Sequence, residues 1–262
     1  MSREPSTRSS IYFESHGSRL HAVDVGEGTP LVFLHGGLAD HRSALFRVGS
    51  LAASCRILAP DLRGSGRSVY AGRLGWELLA DDVRALLDAL GLERAVVGGT
   101  SMGTGVAVRF ALRYPKRTAG LVLESPLYPG ADRGLTEPQR AAMRSMNDAG
   151  QRVLVEGIDA LIPLYGALPA PVRERAVAMA RGFDAASVAA TTRFLASDAQ
   201  PFASAAELRD IDAPVLIVPG TDPEHPAAVA ELYAQHFRQA TIVSAAAPGL
   251  GQWLARFYGS AH

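Results

Sequence analysis

Ala95-Val96-Val97-Gly98-Gly99-Thr100-Ser101-Met102-Gly103-Thr104 is the stretch that decides the fold. Residues 95–97 are an apolar run of strand type, and residues 102–114 carry helical spacing up to Pro115. A serine held between a strand and a helix sits on a sharp, strained turn that pushes its hydroxyl out at the edge of the sheet. Residues two before and two after such a serine crowd each other, and Gly99 and Gly103 stand there. The N-terminus of the following helix directs backbone N–H groups at developing negative charge. The same letters fit a glycine-rich turn whose serine only caps the helix. The flanking strand and helix favour Ser101 as a nucleophile.

Working outward, residues 11–13 and 19–25 read as two strands joined at His16-Gly17. Residues 31–34 and 56–59 follow as apolar runs, the pattern of strands buried on both faces. Residues 76–90 form a helix with Leu79, Val83, Leu86 and Leu87 inward and Asp81, Asp82 and Arg84 expected outward. Residues 121–123, 214–218 and 241–243 complete eight strands, and residues 227–237 another helix. Strands alternating with helices predict an α/β fold with a mainly parallel sheet covered by helices on both faces, beginning antiparallel. Between 132 and 205 only helical patterns occur: 139–147, 172–181 and 186–195. The expected division is a core of 1–128 and 206–262, with a helical cap of 129–205 inserted after strand six.

Apolar residues make up 48% of the chain, enough for such a core, and 26 basic residues balance 26 acidic ones. This balance argues against nucleic acid or anionic membrane as partner. Cys55 is the single cysteine, so no disulfide framework or cysteine metal site is expected. No His-Glu-x-x-His or comparable ligand spacing occurs, and neither a metal nor a cofactor is expected. Residues 1–10 are polar, unlike a signal peptide, and no apolar run reaches membrane-spanning length. The expectation is a soluble cytoplasmic protein whose partner is a small-molecule substrate, with the oligomeric state open.

His35-Gly36-Gly37, directly after the third strand, supplies what an oxyanion hole needs. Two backbone N–H donors must converge on one point, and Met102 and Gly37 are the natural pair. Leu34-His35-Gly36-Gly37, Asp61-Leu62-Arg63-Gly64-Ser65-Gly66-Arg67-Ser68, Gly99-Thr100-Ser101-Met102-Gly103 and Pro214-Val215-Leu216-Ile217-Val218-Pro219-Gly220-Thr221-Asp222-Pro223 occur in this order. Together they resemble the α/β-hydrolase superfamily with a helical cap, from about residue 10 to about 240 except in the cap. The chain is similar to small esterases, lactonases and C–C hydrolases of that group. The resemblance implies the α/β-hydrolase fold, Ser101 as nucleophile, Gly37 and Met102 as oxyanion hole, and an acid after strand seven or strand six. Asp222 and Glu124 are the two candidates, Asp222 favoured by position, while their bland roles are a turn residue and a hinge tie.

The base departs from the resembled pattern. That family carries a histidine after its last strand, but residues 244–252 here contain none. A serine hydroxyl needs a neighbour to remove its proton. His16 and His21 lie on the edge strands, His236 on a helix and His262 at the terminus, while His35 suits holding the oxyanion loop. His225, three residues past Asp222, and His41, facing the pocket mouth, remain. His35, His41 and Tyr128 are expected at the pocket. Trp76, Tyr165, Phe183, Phe194 and Phe202 fit either the pocket or the core. The leading function is a serine hydrolase cleaving a small ester, lactone or thioester. The alternatives are a lyase, isomerase or cyclase using only the oxyanion hole, and a small-ligand-binding pseudoenzyme.

Overall fold

The structure, a computed structural model, describes residues 8–244 and 246–258. Eight strands form one sheet: β1 (Ser9–Ser15), β2 (Ser18–Val25), β3 (Thr29–Leu34), β4 (Cys55–Pro60), β5 (Ala95–Thr100), β6 (Thr118–Glu124), β7 (Val215–Val218) and β8 (Ala240–Ile242). Their order is β1-β2-β4-β3-β5-β6-β7-β8. The pairs β1–β2 and β2–β4 are antiparallel and the others parallel. This is the α/β-hydrolase fold.

Alternate residues of each central strand feed opposite layers, as the two-residue period of a strand requires. Val32, Leu34, Val97, Leu121 and Leu123 pack in one core with helices α2 (Trp76–Ala89), α3 (Met102–Arg113) and α7 (Ala227–His236). Leu31, Phe33, Val96, Val122 and Leu216 pack in the other with α1 (His41–Val48) and α8 (Ala246–Tyr258). Between β6 and β7 the chain is helical: α4 (Glu137–Glu156), α5 (Ala170–Ala180) and α6 (Ala185–Leu195), with a third apolar cluster around Leu161 and Val153 that also takes in Leu38 of the loop after β3. Among the described residues no helix is long and apolar enough to cross a membrane.

The acidic side chains expected to face outward on α2 are buried instead. Asp82 accepts two hydrogen bonds from the buried Arg63 guanidinium, at 2.9 and 2.6 Å. Asp81 accepts from Arg113 (2.8 Å), the Tyr114 hydroxyl (2.5 Å) and the His16 ring (3.0 Å). Helical spacing identifies which residues share a face, but a buried charge becomes tolerable only where partners from distant segments converge. α1 and the early start of α8 are further elements that pattern alone did not reveal. Asp40 caps α1 by accepting from the Arg42 N–H (2.9 Å). Leu250, Trp253 and Leu254 seat α8 on the sheet despite Pro248 and Gly251. His262 and Ala245 lie outside the described residues.

Candidate active site

Ser101 stands between β5 and α3 with φ 52° and ψ −116°, a conformation unusual for a residue bearing a side chain. A Cβ on Gly103 would lie 2.5 Å from the carbonyl oxygen of Leu34, and one on Gly99 would lie 2.8 Å from the carbonyl carbon of Gly103. Only glycines let the turn close this tightly. The Ser101 N–H donates to the Glu124 carbonyl (3.1 Å), and the Thr104 hydroxyl donates to the Ser101 carbonyl (2.6 Å). The strained turn is thereby tied to the neighbouring strand and to the first turn of its helix.

His225 reaches this serine. Its Nε2 lies 2.9 Å from Ser101 Oγ, and its Nδ1 lies 2.9 and 3.1 Å from the two oxygens of Asp222. With Nδ1–H donating to the carboxylate, Nε2 presents a lone pair to the serine hydroxyl. Asp222 and the His225 imidazole share one tight turn after β7. Asp222 Oδ1 also accepts the backbone N–H groups of Glu224 and His225, each at 2.9 Å. A side chain on Gly220 would collide with the backbone and Cβ of His225. Burial pushes the Asp222 carboxyl up, but the His225 charge and these hydrogen bonds outweigh it and hold the group below its ordinary value.

Gln139, fully buried in the first turn of α4, steadies this turn from across the chain. Its amide donates to the carbonyls of Leu127 (2.9 Å) and Glu224 (3.0 Å). It carried no sequence signal beyond its place three residues after the helix cap Thr136.

The loop after β3 faces Ser101. A Cβ on Gly36 would lie 3.5 Å from the Ser101 Cβ. Among the described residues, the backbone N–H groups of Gly37 and Met102 have no protein acceptor. His35 braces the loop by donating from Nδ1 to the Gly36 carbonyl (2.7 Å) and accepting the Leu62 N–H at Nε2 (3.0 Å). Its burial lowers its pKa, which suits a neutral ring that donates from one nitrogen and accepts at the other.

The remaining candidates are occupied elsewhere. His41 is buried and bonded through Nδ1 to Asp61 (2.7 Å), so the reading of His41 as a group at the pocket mouth is corrected to a structural one. The carboxylate beside His225 is that of Asp222. Glu124 accepts from the Thr100 hydroxyl (2.8 Å) and the Arg47 guanidinium (2.6 Å), which suits a tie beneath the elbow rather than the acid. Tyr128 is buried edge-on against Trp76 (ring centroids 4.8 Å apart) and packs on α3 near Gly105, as a core residue. Asp61 was missed as a structural hub. It sits inside the glycine-containing segment 61–68, and only its neighbours in space reveal it.

Comparison with known proteins gives a consistent likeness. The family described as alpha/beta hydrolase fold matches residues 29–158. The 2-hydroxy-6-oxo-6-phenylhexa-2,4-dienoate hydrolase of Burkholderia cepacia is 37% identical over 114 residues, 41% of this chain and 40% of that protein. Such matches span only about two fifths of the length of the curated relatives. Among solved structures, Est816, described as an N-acyl homoserine lactone degrading enzyme, is 28% identical with a TM-score of 0.67, covering 89% of this chain and 91% of that one. A thermophilic esterase from Thermogutta terrifontis shares the fold at 24% identity and a TM-score of 0.76, covering 96% and 99%.

Proposed function

We propose that this chain, which belongs to the α/β-hydrolase superfamily, is a serine hydrolase acting on small esters, lactones or thioesters through an acyl-enzyme on Ser101. The observation that carries this reading is the 2.9 Å contact between Ser101 Oγ and His225 Nε2, continued to Asp222 at 2.9 Å. Ser101 Oγ attacks the carbonyl carbon while its proton passes to His225 Nε2. The N–H groups of Gly37 and Met102 receive the negative oxygen of the tetrahedral intermediate. Collapse expels the alcohol or thiol, which takes the proton back from the imidazole. A water molecule then gives a proton to His225 and attacks the acyl-enzyme, and collapse releases the acid as His225 returns that proton to Ser101 Oγ. Asp222 fixes the imidazole tautomer and offsets the positive charge that forms. A lyase, isomerase or cyclase using only the oxyanion hole, or a small-ligand-binding pseudoenzyme, needs no such base, and the His225 contact supports the hydrolytic reading over each of them. The 129–205 segment is proposed as the cap over this site.

A fluorophosphonate probe with peptide mapping by mass tests the reading. Expected is one adduct, on Ser101, absent in Ser101→Ala and formed at least about a hundredfold more slowly in His225→Ala. A folded wild-type protein that forms no adduct at Ser101 overturns it.

A further inference from the structure

We propose that Leu195 is a specificity-determining residue that restricts the acyl group to short chains, making this a site for compact esters and small lactones. The inference rests on the Ser101 hydrolase reading.

Ser187, Thr191 and Leu195 follow one another at four-residue intervals and so share a face of α6. Ser187 and Thr191 meet the loop between β4 and α2, and Leu195 meets the loop after β3. The Ser187 hydroxyl accepts the Tyr70 N–H (2.9 Å), and the Thr191 hydroxyl donates to the Gly64 carbonyl (3.1 Å). Leu195 lies against Gly37, where an added Cβ would come 2.8 Å from Leu195 Cδ1. Gly37 is the oxyanion-loop residue next to Gly36, itself in contact range of Ser101. The leucine therefore stands one glycine away from the nucleophile.

The wall is held from behind as well. Gln151 of α4 donates to the Ala189 carbonyl (3.0 Å), and Thr192 fills the space above Gly150 so closely that a side chain there would collide. Phe194 packs edge-on against Trp76, with ring centroids 5.0 Å apart. Ser187, Thr191, Phe194 and Leu195 are all buried. Swinging α6 away would break buried hydrogen bonds to the core and expose this apolar surface together. Leu195 thus acts as a fixed barrier. A longer acyl chain has to displace well-packed side chains, and a packed site discriminates by about tenfold or more per unaccommodated methylene.

The test compares kcat/KM for p-nitrophenyl acetate, butanoate, hexanoate and octanoate, which keep one leaving group and vary only the acyl chain. In wild type, kcat/KM falls by about tenfold or more from butanoate to octanoate. Leu195→Ala raises the octanoate-to-acetate ratio by about tenfold or more, mainly through a lower KM for octanoate. Leu195→Val, which keeps most of the bulk and guards against misfolding, gives an intermediate ratio. Adduct formation on Ser101 by the fluorophosphonate probe shows that each variant is folded with a reactive serine. An unchanged ratio in labelled variants, or a wild type that prefers octanoate, overturns the role of Leu195 while leaving the hydrolase reading standing. Failure to label Ser101 in the wild type defeats both.

Discussion

Asp222 and His225 share a turn, and the environment of each sets what it can contribute. The imidazole is mostly covered, with a side-chain exposure of 16%, whereas the Asp222 side chain is 54% exposed. A carboxylate held below its ordinary pKa is charged at neutral pH. Water can replace part of what an exposed acid does, which it cannot do for a buried one. Asp222→Asn is therefore expected to lower kcat by about 10- to 100-fold, well short of the roughly 10⁴-fold loss typical of a buried triad acid. Ser101→Ala and His225→Ala should each cost about 10⁴-fold or more. Michaelis fits with p-nitrophenyl acetate decide this. A loss in Asp222→Asn as large as in His225→Ala would mean that the exposed carboxylate is as indispensable as a buried one. Ser101 and Asp222 were legible as residues in motifs. His225 could be narrowed only to one of two candidates, with His41, because nothing in a row of letters tells whether it turns toward the serine or toward solvent.

At the scale of elements, the elbow and the base-bearing turn are both built by close backbone approach. A methyl group on Gly103 would press on the carbonyl oxygens of Leu34 (2.5 Å) and His35 (2.8 Å). Neither oxygen can retreat without disturbing β3 and the oxyanion loop. Gly103→Ala should thus destabilise the fold by about 2–3 kcal/mol and lower Tm by roughly 5–10 °C in a thermal melt. A melt identical to wild type would show that the elbow has room to spare. Gln139→Leu removes the amide that holds Glu224 beside His225 and leaves two carbonyls unpaired. Expected is a drop in kcat of about tenfold with KM little changed, because the base loses its orientation while the substrate space is kept. A pure KM effect would contradict that assignment. The central strands were readable because each is an apolar run bounded by turn residues, and β1 and β2 because short strand-like stretches flank His16-Gly17. α8 was not, since Pro248, Gly249 and Gly251 read as breakers and only the packing of Leu250, Trp253 and Leu254 overrides them. The buried faces of Asp81 and Asp82 were hidden for the same reason: their partners Arg63 and Arg113 come from other elements.

Across the whole molecule, Asp61 joins the antiparallel edge of the sheet to the loops around Ser101. Its Oδ2 accepts from His21 Nδ1 on β2 (2.8 Å) and from the Arg67 N–H (2.9 Å). Its Oδ1 accepts from the backbone N–H (2.8 Å) and Nδ1 (2.7 Å) of His41, the first residue of α1. Burial alone would raise the pKa of this carboxyl, but the hydrogen bonds and the His41 charge outweigh it and hold the group well below the usual carboxylate range. Because the folded pKa is the lower one, the ionised group stabilises the fold fully above the unfolded value of about 4. That contribution drains away as pH falls from there toward the folded pKa, by about 1.4 kcal/mol per pH unit. Asp61→Asn replaces an acceptor of four N–H groups by an amide with donors of its own, and should cost about 3–5 kcal/mol at pH 7. Urea unfolding of both proteins at pH 7, 5 and 3 should show this difference intact at pH 5 and smaller by about 1 kcal/mol at pH 3. A constant difference across that range would mean that the carboxylate is not the ionised hub of the fold. Because His41 and the segment 61–68 also carry the oxyanion loop and the docking site of α6, the same substitution should lower hydrolysis of p-nitrophenyl acetate at pH 7 below what the fraction of folded protein explains.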